Sequence, residues 1–234
     1  LGTTYAVTRG PFRGAFLQLL RRFGPETDVR RDIDKLSLVV CLIFYFILAN
    51  EKAAPAATTG KAADRRAPRP WPGITGELPP VVVVQSESFF DVRRLHASIP
   101  RNILARWDAL GAEAAYRGHL KVPAWGANTM RTEFAFLSGL PNEALGVHRF
   151  NPYLNLCKNP VWTMAHQLRA MGYRTVCIHP YASNFFDRDR VFPNLGFDEF
   201  LDIAAFDGAA KFGPYVSDLA VADKIIDVLQ DRKS

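Results

Sequence analysis

Two side chains pose the chemical question of this chain. Glu87 lies near the end of the run Val81-Val82-Val83-Val84-Gln85-Ser86-Glu87-Ser88-Phe89-Phe90-Asp91, and Thr129 lies within Gly126-Ala127-Asn128-Thr129-Met130-Arg131-Thr132-Glu133-Phe134. A threonine hydroxyl is a poor nucleophile unless a metal or a base lowers its pKa. A divalent ion held by Glu87 would do that and would also neutralise a phosphoryl group. Thr129 comes just before a predicted helix, and a helix start combines N–H groups lacking intrahelical partners with the positive end of the dipole, which suits phosphate. The plainer alternative is that Thr129 is an N-cap and Glu87 an ordinary charge at a strand end. Spacing alone does not choose between the two. His179 poses the same choice: it follows the strand-like Arg174-Thr175-Val176-Cys177-Ile178 and is either a site residue or a strand-end histidine bonded to backbone.

The elements that must position these groups follow from the hydrophobic pattern. Four consecutive valines predict a strand over 81–86, buried on both faces as in a parallel sheet. Ligands of open α/β sheets bind beyond the carboxyl ends of the strands, where Glu87 and His179 both fall. Residues 102–116 have helical spacing, with Ile103, Trp107, Leu110 and Ala114 on one side. Residues 132–140 predict a helix ended by Gly139, and 160–171 another stopped at Gly172. Ser217 is a plausible N-cap with Asp218 in the first turn, opening a helix striped by Leu219, Ala222, Ile226 and Leu229. The alternation predicts an α/β fold: a mainly parallel sheet flanked by helices.

Hydrophobic residues make up 48% of the chain and aromatics 12%, which excludes a disordered polymer. A net charge of +6, from 29 basic and 23 acidic residues, suits a membrane surface or an anionic substrate and is too mild to argue for nucleic acid. Cys41, Cys157 and Cys177 share no close spacing and read as apolar residues. Residues 36–50 hold the one long uncharged apolar stretch, bracketed by Asp34 and Lys35 before it and Glu51 and Lys52 after it. It is short of the roughly 20 residues of a usual span, so a buried helix or a signal-like segment competes with the membrane helix expected here. Residues 1–35 carry seven basic side chains and read as a membrane-proximal segment; 51–78 are rich in Ala and Pro and read as a linker; the folded domain is expected over 79–234.

Several segments together resemble one family. Gln85-Ser86-Glu87-Ser88-Phe89-Phe90-Asp91 is similar to the first metal-ligand motif of the lipoteichoic acid synthase and phosphoglycerol transferase family, within the sulfatase and alkaline-phosphatase-like superfamily. Asn128 to Phe134, continuing to Leu137-Ser138-Gly139-Leu140, resembles its nucleophile segment. Further collinear matches are Gly172 to Tyr181 running on through Asn184-Phe185-Phe186-Asp187-Arg188, then Asn194 to Phe200, then Gly213 to Asp218.

The resemblance implies that Glu87 is a metal ligand and that Thr129 is both ligand and nucleophile, forming a phosphothreonine intermediate. It implies that Arg188 contacts the phosphoglycerol group, with His179 nearby and Phe186 standing where relatives usually have tryptophan. The implied cofactor is a divalent metal, manganese first, with magnesium or zinc as alternatives. The implied partners are a membrane phospholipid donor, most simply phosphatidylglycerol, and a glycan or glycerophosphate acceptor. The implied location is the bacterial inner membrane, with the catalytic domain on its outer, periplasmic side. One departure stands out: the family completes its metal site with a downstream Asp-His pair, and no adjacent Asp and His occur here. The sequence is therefore expected to be the N-terminal part of such a domain, with its C-terminal half absent, and inactive as given. Two other readings stay open: a phosphoester hydrolase of the same superfamily, and a non-catalytic membrane-anchored protein that binds glycan or lipid. A sulfate-ester hydrolase is disfavoured, because no Cys/Ser-x-Pro-x-Arg surrounds Thr129.

Overall fold

The hydrophobic core gathers around one helix, α5 (Thr129–Ser138), whose Met130 and Phe134 point inward and are 3% and 0% exposed. A computed structural model of the chain describes residues 5–6, 8–23, 28–50, 78–86, 89–123 and 128–231. Within these, α1 (Arg13–Arg21), α2 (Val29–Leu36), α3 (Leu38–Ala49) and α4 (Ala105–Glu113) precede α5. After it come α6 (Met164–Ala170), strand β1 (Val176–Ile178), α7 (Arg188–Asn194), β2 (Glu199–Leu201), the hairpin β3 (Lys211–Phe212) and β4 (Tyr215–Val216), and α8 (Asp218–Gln230). Strands β1 and β2 pair in parallel, Val176 opposite Glu199 and Ile178 opposite Leu201, and β3 pairs antiparallel with β4. Among the described residues, the βαβ unit β1–α7–β2 is the part of the expected parallel sheet that forms.

Local chemistry explains these elements. Gly139 adopts φ 61 and ends α5, a left-handed position that glycine takes without penalty. Thr163 caps α6 by accepting from the Ala165 N–H, and Ser217 caps α8 by accepting from the Ala220 N–H at 3.2 Å. Thr175 and Asp198 join the two parallel strands: the Asp198 carboxylate accepts from the Thr175 N–H at 2.8 Å and from its hydroxyl at 2.9 Å, while the Asp198 N–H donates to that hydroxyl at 3.1 Å. Gly196, just before this lock, has φ 95, and a Cβ there would collide with the His166 ring, so only glycine fits. Val191 and Phe192 from α7 and Leu195 just after it complete the core with Tyr153, Leu156 and Cys157.

Three expectations are corrected. The strand expected over 81–86 is extended but carries no ladder among the described residues. Its valines are 49–71% exposed instead of covered on both faces. A continuous apolar strand becomes buried only when neighbours pair with it and layers cover it, and no described element does either. The membrane helix expected over 36–50 is α3, 12 residues and about 18 Å long at about 1.5 Å per residue, against the roughly 30 Å of a bilayer core. Ser37, at φ 67, separates it from α2, and no helix among the described residues is long and apolar enough to cross a membrane. Cys41, Phe44 and Ile47 of α3 pack against α1 and α2, Tyr45 donates to the buried Asp32 at 2.6 Å, and Asn155 donates to the Ala49 carbonyl at 2.6 Å. Finally, the stripe on 102–116 shortens to α4 and is exposed: Ile103, Trp107 and Leu110 are 54–64% accessible. The linker read at 51–78 falls, but for Leu78, outside the described residues.

Candidate functional site

A cavity of about 410 Å³ opens between β1, the start of α5, α6 and α7, and it is lined by Thr129, Glu133, His179 and Arg188 together. Three of the residues expected from sequence therefore meet in one place although they span 60 positions of chain. Val81, Val83 and Gln85 form another wall. Glu87, the expected metal ligand, lies outside the described residues. Phe186 does not line the cavity, but its ring lies under the Arg188 guanidinium, 5.2 Å from centroid to Cζ.

The backbone is strained at both sides of this cavity. Asn128, immediately before Thr129, has φ 57, and Phe186 and Asp187, immediately before Arg188, have φ 60 and φ 53. Asparagine visits the left-handed region with little penalty, whereas for phenylalanine it is an outlier. Such conformations cost on the order of 1–3 kcal/mol each and persist where the surroundings over-determine them. The turn at Asn128 makes Thr129 the first residue of α5 instead of the residue before the helix, three positions earlier than the pattern predicted.

Arg188 is 1% exposed, and its guanidinium is largely committed. Nη2 donates to Glu133 Oε1 at 2.9 Å, and Nη1 donates to the Phe185 carbonyl at 3.3 Å. Nε is buried with no hydrogen-bond partner among the described residues. The other oxygen of Glu133, Oε2, accepts from the Tyr153 hydroxyl at 2.7 Å. Burial, reinforced by the Glu133 charge, pushes the Tyr153 phenol well above its ordinary value, so it stays a donor. His179 takes its place at the end of β1 through its backbone N–H, which donates to the Leu201 carbonyl at 2.9 Å. Its Nδ1 is buried without a partner among the described residues. Burial lowers the His179 pKa, the Arg188 charge lowers it further and Glu133 opposes both, so the ring is neutral at pH 7. His179 thus sits at a strand end bonded through its backbone, and it lines the cavity wall. Burial pushes the Cys177 thiol, also in the cavity wall, up to about 12, which makes it a packing residue and not a nucleophile.

The donors for a divalent ion do not suffice among the described residues. No group of three or more His, Cys, Asp or Glu side chains converges there. Both Glu133 oxygens are taken, and a hard cation needs about six oxygen ligands. The described residues alone do not hold the ion that the resemblance implies.

Glu133 and Tyr153 are the residues that the sequence reading undervalued. In the sequence Glu133 stands out only as a member of the segment that resembles a nucleophile motif. Its spacing of four from Thr129 places both on one helix face, which was a usable signal for a cavity residue. Tyr153 carried none, because it reaches Glu133 across 20 positions.

The sulfatase family profile matches residues 79–234. The capsular polysaccharide biosynthesis protein RkpI of Rhizobium meliloti (strain 1021) is 37% identical over 151 residues, 64% of this chain and 28% of that protein. A second protein of the same strain, named for cyclic beta-1,2-glucan modification, is 31% identical over 175 residues, 74% of this chain and 27% of that protein. The chain thus spans about a quarter of the length of these relatives. No solved structure matches it significantly.

Proposed function

The chain belongs to the sulfatase family, and on that premise we propose that it carries the nucleophile side of a phosphotransferase that moves glycerol phosphate from phosphatidylglycerol to a glycan or glycerophosphate acceptor. The observation that carries this reading is the shared cavity: a hydroxyl on Thr129, a neutral imidazole on His179 and a buried cation on Arg188, with Nε and Nδ1 both lacking partners among the described residues. A tetrahedral phosphoryl group supplies the acceptor oxygens and the hydroxyl that such groups bind. Thr129 Oγ1 would attack phosphorus and the diacylglycerol oxygen would leave. The acceptor hydroxyl would then displace Thr129, giving a two-step, ping-pong course. Arg188 would hold a phosphoryl oxygen, and the charge-assisted bond would strengthen as negative charge builds in the transition state. Phe186 would support the Arg188 plane, and His179 would donate to or accept from the oxygen opposite. The turn from Asn128 into α5 would hold Thr129 at one fixed approach, which is where positioning lowers the barrier.

Enzymes of the sulfatase family generally use a divalent metal. Glu87 and Thr129 are the proposed contacts to it, with manganese the proposed ion; Gln85, two residues before Glu87, lines the cavity. Transfer of phosphate fits better than sulfate-ester chemistry, because Thr129 is followed by Met130 and Arg131, not by an x-Pro-x-Arg sequence. The names of the two relatives, for polysaccharide biosynthesis and glucan modification, support an acceptor that is a glycan. A lipid donor places the reaction at a membrane, on the outer face of the inner membrane in this proposal. The test is intact-mass analysis of the full-length protein after incubation with phosphatidylglycerol and manganese. A phosphoglycerol adduct mapped to Thr129 and lost in Thr129→Ala is the expected result; an adduct that survives in Thr129→Ala removes the nucleophile from the scheme.

A further inference from the structure

We propose that Glu133 is a positioning residue: it grips one edge of the Arg188 guanidinium so that the Nε edge is left available to the phosphoryl group at Thr129. The inference rests on the reading of the cavity as a phosphoryl site, and it assigns to Glu133 and Tyr153 a role that neither the family match nor the nucleophile scheme requires.

A guanidinium offers five N–H donors in a rigid plane, so fixing two of them fixes the direction of the rest. Here Glu133 Oε1 takes Nη2 and the Phe185 carbonyl takes Nη1, leaving Nε as a buried donor without a partner among the described residues. Tyr153 holds the other Glu133 oxygen at 2.7 Å, which favours the carboxylate staying on Nη2. The rings of Phe185, Phe186 and Phe192 surround Arg188, with centroids 5.8, 5.2 and 6.0 Å from Cζ, and block tilting. A buried N–H left without an acceptor costs on the order of 1–3 kcal/mol, a cost removed when a ligand oxygen arrives. Glu133 also sits one helical turn after Thr129 on α5. The ion pair therefore ties the nucleophile helix to the strained Phe186–Asp187 turn across 55 positions of chain. Because the carboxylate cancels the guanidinium charge, the pair contributes a directed hydrogen bond to the site more than a net positive potential. That distinguishes it from a surface arginine cluster, which attracts anions without fixing their orientation.

The test reads Arg188 directly by nuclear magnetic resonance of arginine ¹⁵Nε–¹Hε groups in the full chain, with sn-glycerol 3-phosphate as the soluble probe. Arg188→Lys identifies the signal by its disappearance. In wild type the signal is expected to exchange slowly with water and to shift as the probe is added. In Glu133→Gln the signal is expected to exchange faster and the probe to bind about tenfold more weakly, the loss of one charge-assisted contact, while the thermal melt remains cooperative. Tyr153→Phe, which removes one hydroxyl from a retained ring, should change both readings in the same direction by a smaller factor. It carries the test if Glu133→Gln does not fold. Unchanged exchange and affinity in the folded variants would overturn the role of Glu133. A wild-type signal that is protected, loosened by both variants, yet indifferent to the probe would leave the clamp standing and sink the phosphoryl reading instead.

Discussion

At the scale of single residues, the site works by deciding which groups are charged and which way they face. His179 is the clearest case. Its ring is partly withdrawn from water beside a buried cation, and both effects disfavour the imidazolium; the Glu133 carboxylate offsets only part of this. The folded-state pKa therefore lies below the ordinary value of about 6.5. The sign of the linkage follows: as pH falls through that ordinary value, the unfolded chain takes up the proton first, so the contribution of a neutral His179 to stability is present above it and declines below it. The imidazole Cε1–H resonance of His179, followed by proton NMR between pH 5 and 8, the range in which a histidine changes charge, should show a midpoint under the ordinary value and a rise when a phosphoryl ligand binds. A midpoint at or above that value in the free protein would mean that the ring is solvated and does not face Arg188. This prediction needs no catalytic turnover, so it separates the placement of His179 from any question about the reaction.

At the scale of elements, what the sequence revealed was what local chemistry decides. Gly139 and Ser217 marked helix ends because a left-handed residue and a side-chain cap are each specified within a few positions. Strand β2 was missed, since Glu199-Phe200-Leu201 is too short for a period of two to show and is defined by pairing with β1. The Thr175–Asp198 lock explains how three-residue strands hold their register. Burial by itself would raise the Asp198 pKa, but the Thr175 N–H and hydroxyl, with Arg169 and Arg174 nearby, outweigh it and hold the carboxyl below its usual range. A depressed carboxyl stabilises the fold above its unfolded value and loses that contribution as pH falls through its folded value. Urea denaturation of wild type and Asp198→Asn should therefore differ most at neutral pH and converge below about pH 4, where the unfolded-state carboxyl takes up its proton. A gap that stays constant into acid would show that the Asp198 charge plays no part in the lock. Because Asp198 is partly exposed, the gap is expected to be modest.

At the scale of the whole molecule, residues were legible where contacts were not. Thr129 and His179 were named from their types and surroundings and Arg188 from the family resemblance, and all three line one cavity. The partners that hold Arg188 lay beyond reach, since pairing across 55 positions leaves no periodic trace. The valine run failed for a related reason: its pattern states that it needs cover, not that cover is present. Val81 to Val84 are about half exposed or more, and the apolar stripe of α8 adds Leu219 at 78% and Ile226 at 49%, with no residue of that helix buried. Exposed apolar surface on this scale binds hydrophobic dyes and promotes association. Substituting Val82→Lys together with Leu219→Lys should therefore lower 8-anilinonaphthalene-1-sulfonate fluorescence of the native chain and shift its size distribution, by light scattering, toward monomer. Both side chains are outside the core, so the melting midpoint should move by no more than about 2 °C, the shift of a surface change within about ±0.5 kcal/mol. A large fall in the midpoint would mean that these side chains are buried in solution against a surface that the exposed valines and α8 do not show here, and the description of 81–84 as an uncovered wall of the cavity would have to be abandoned.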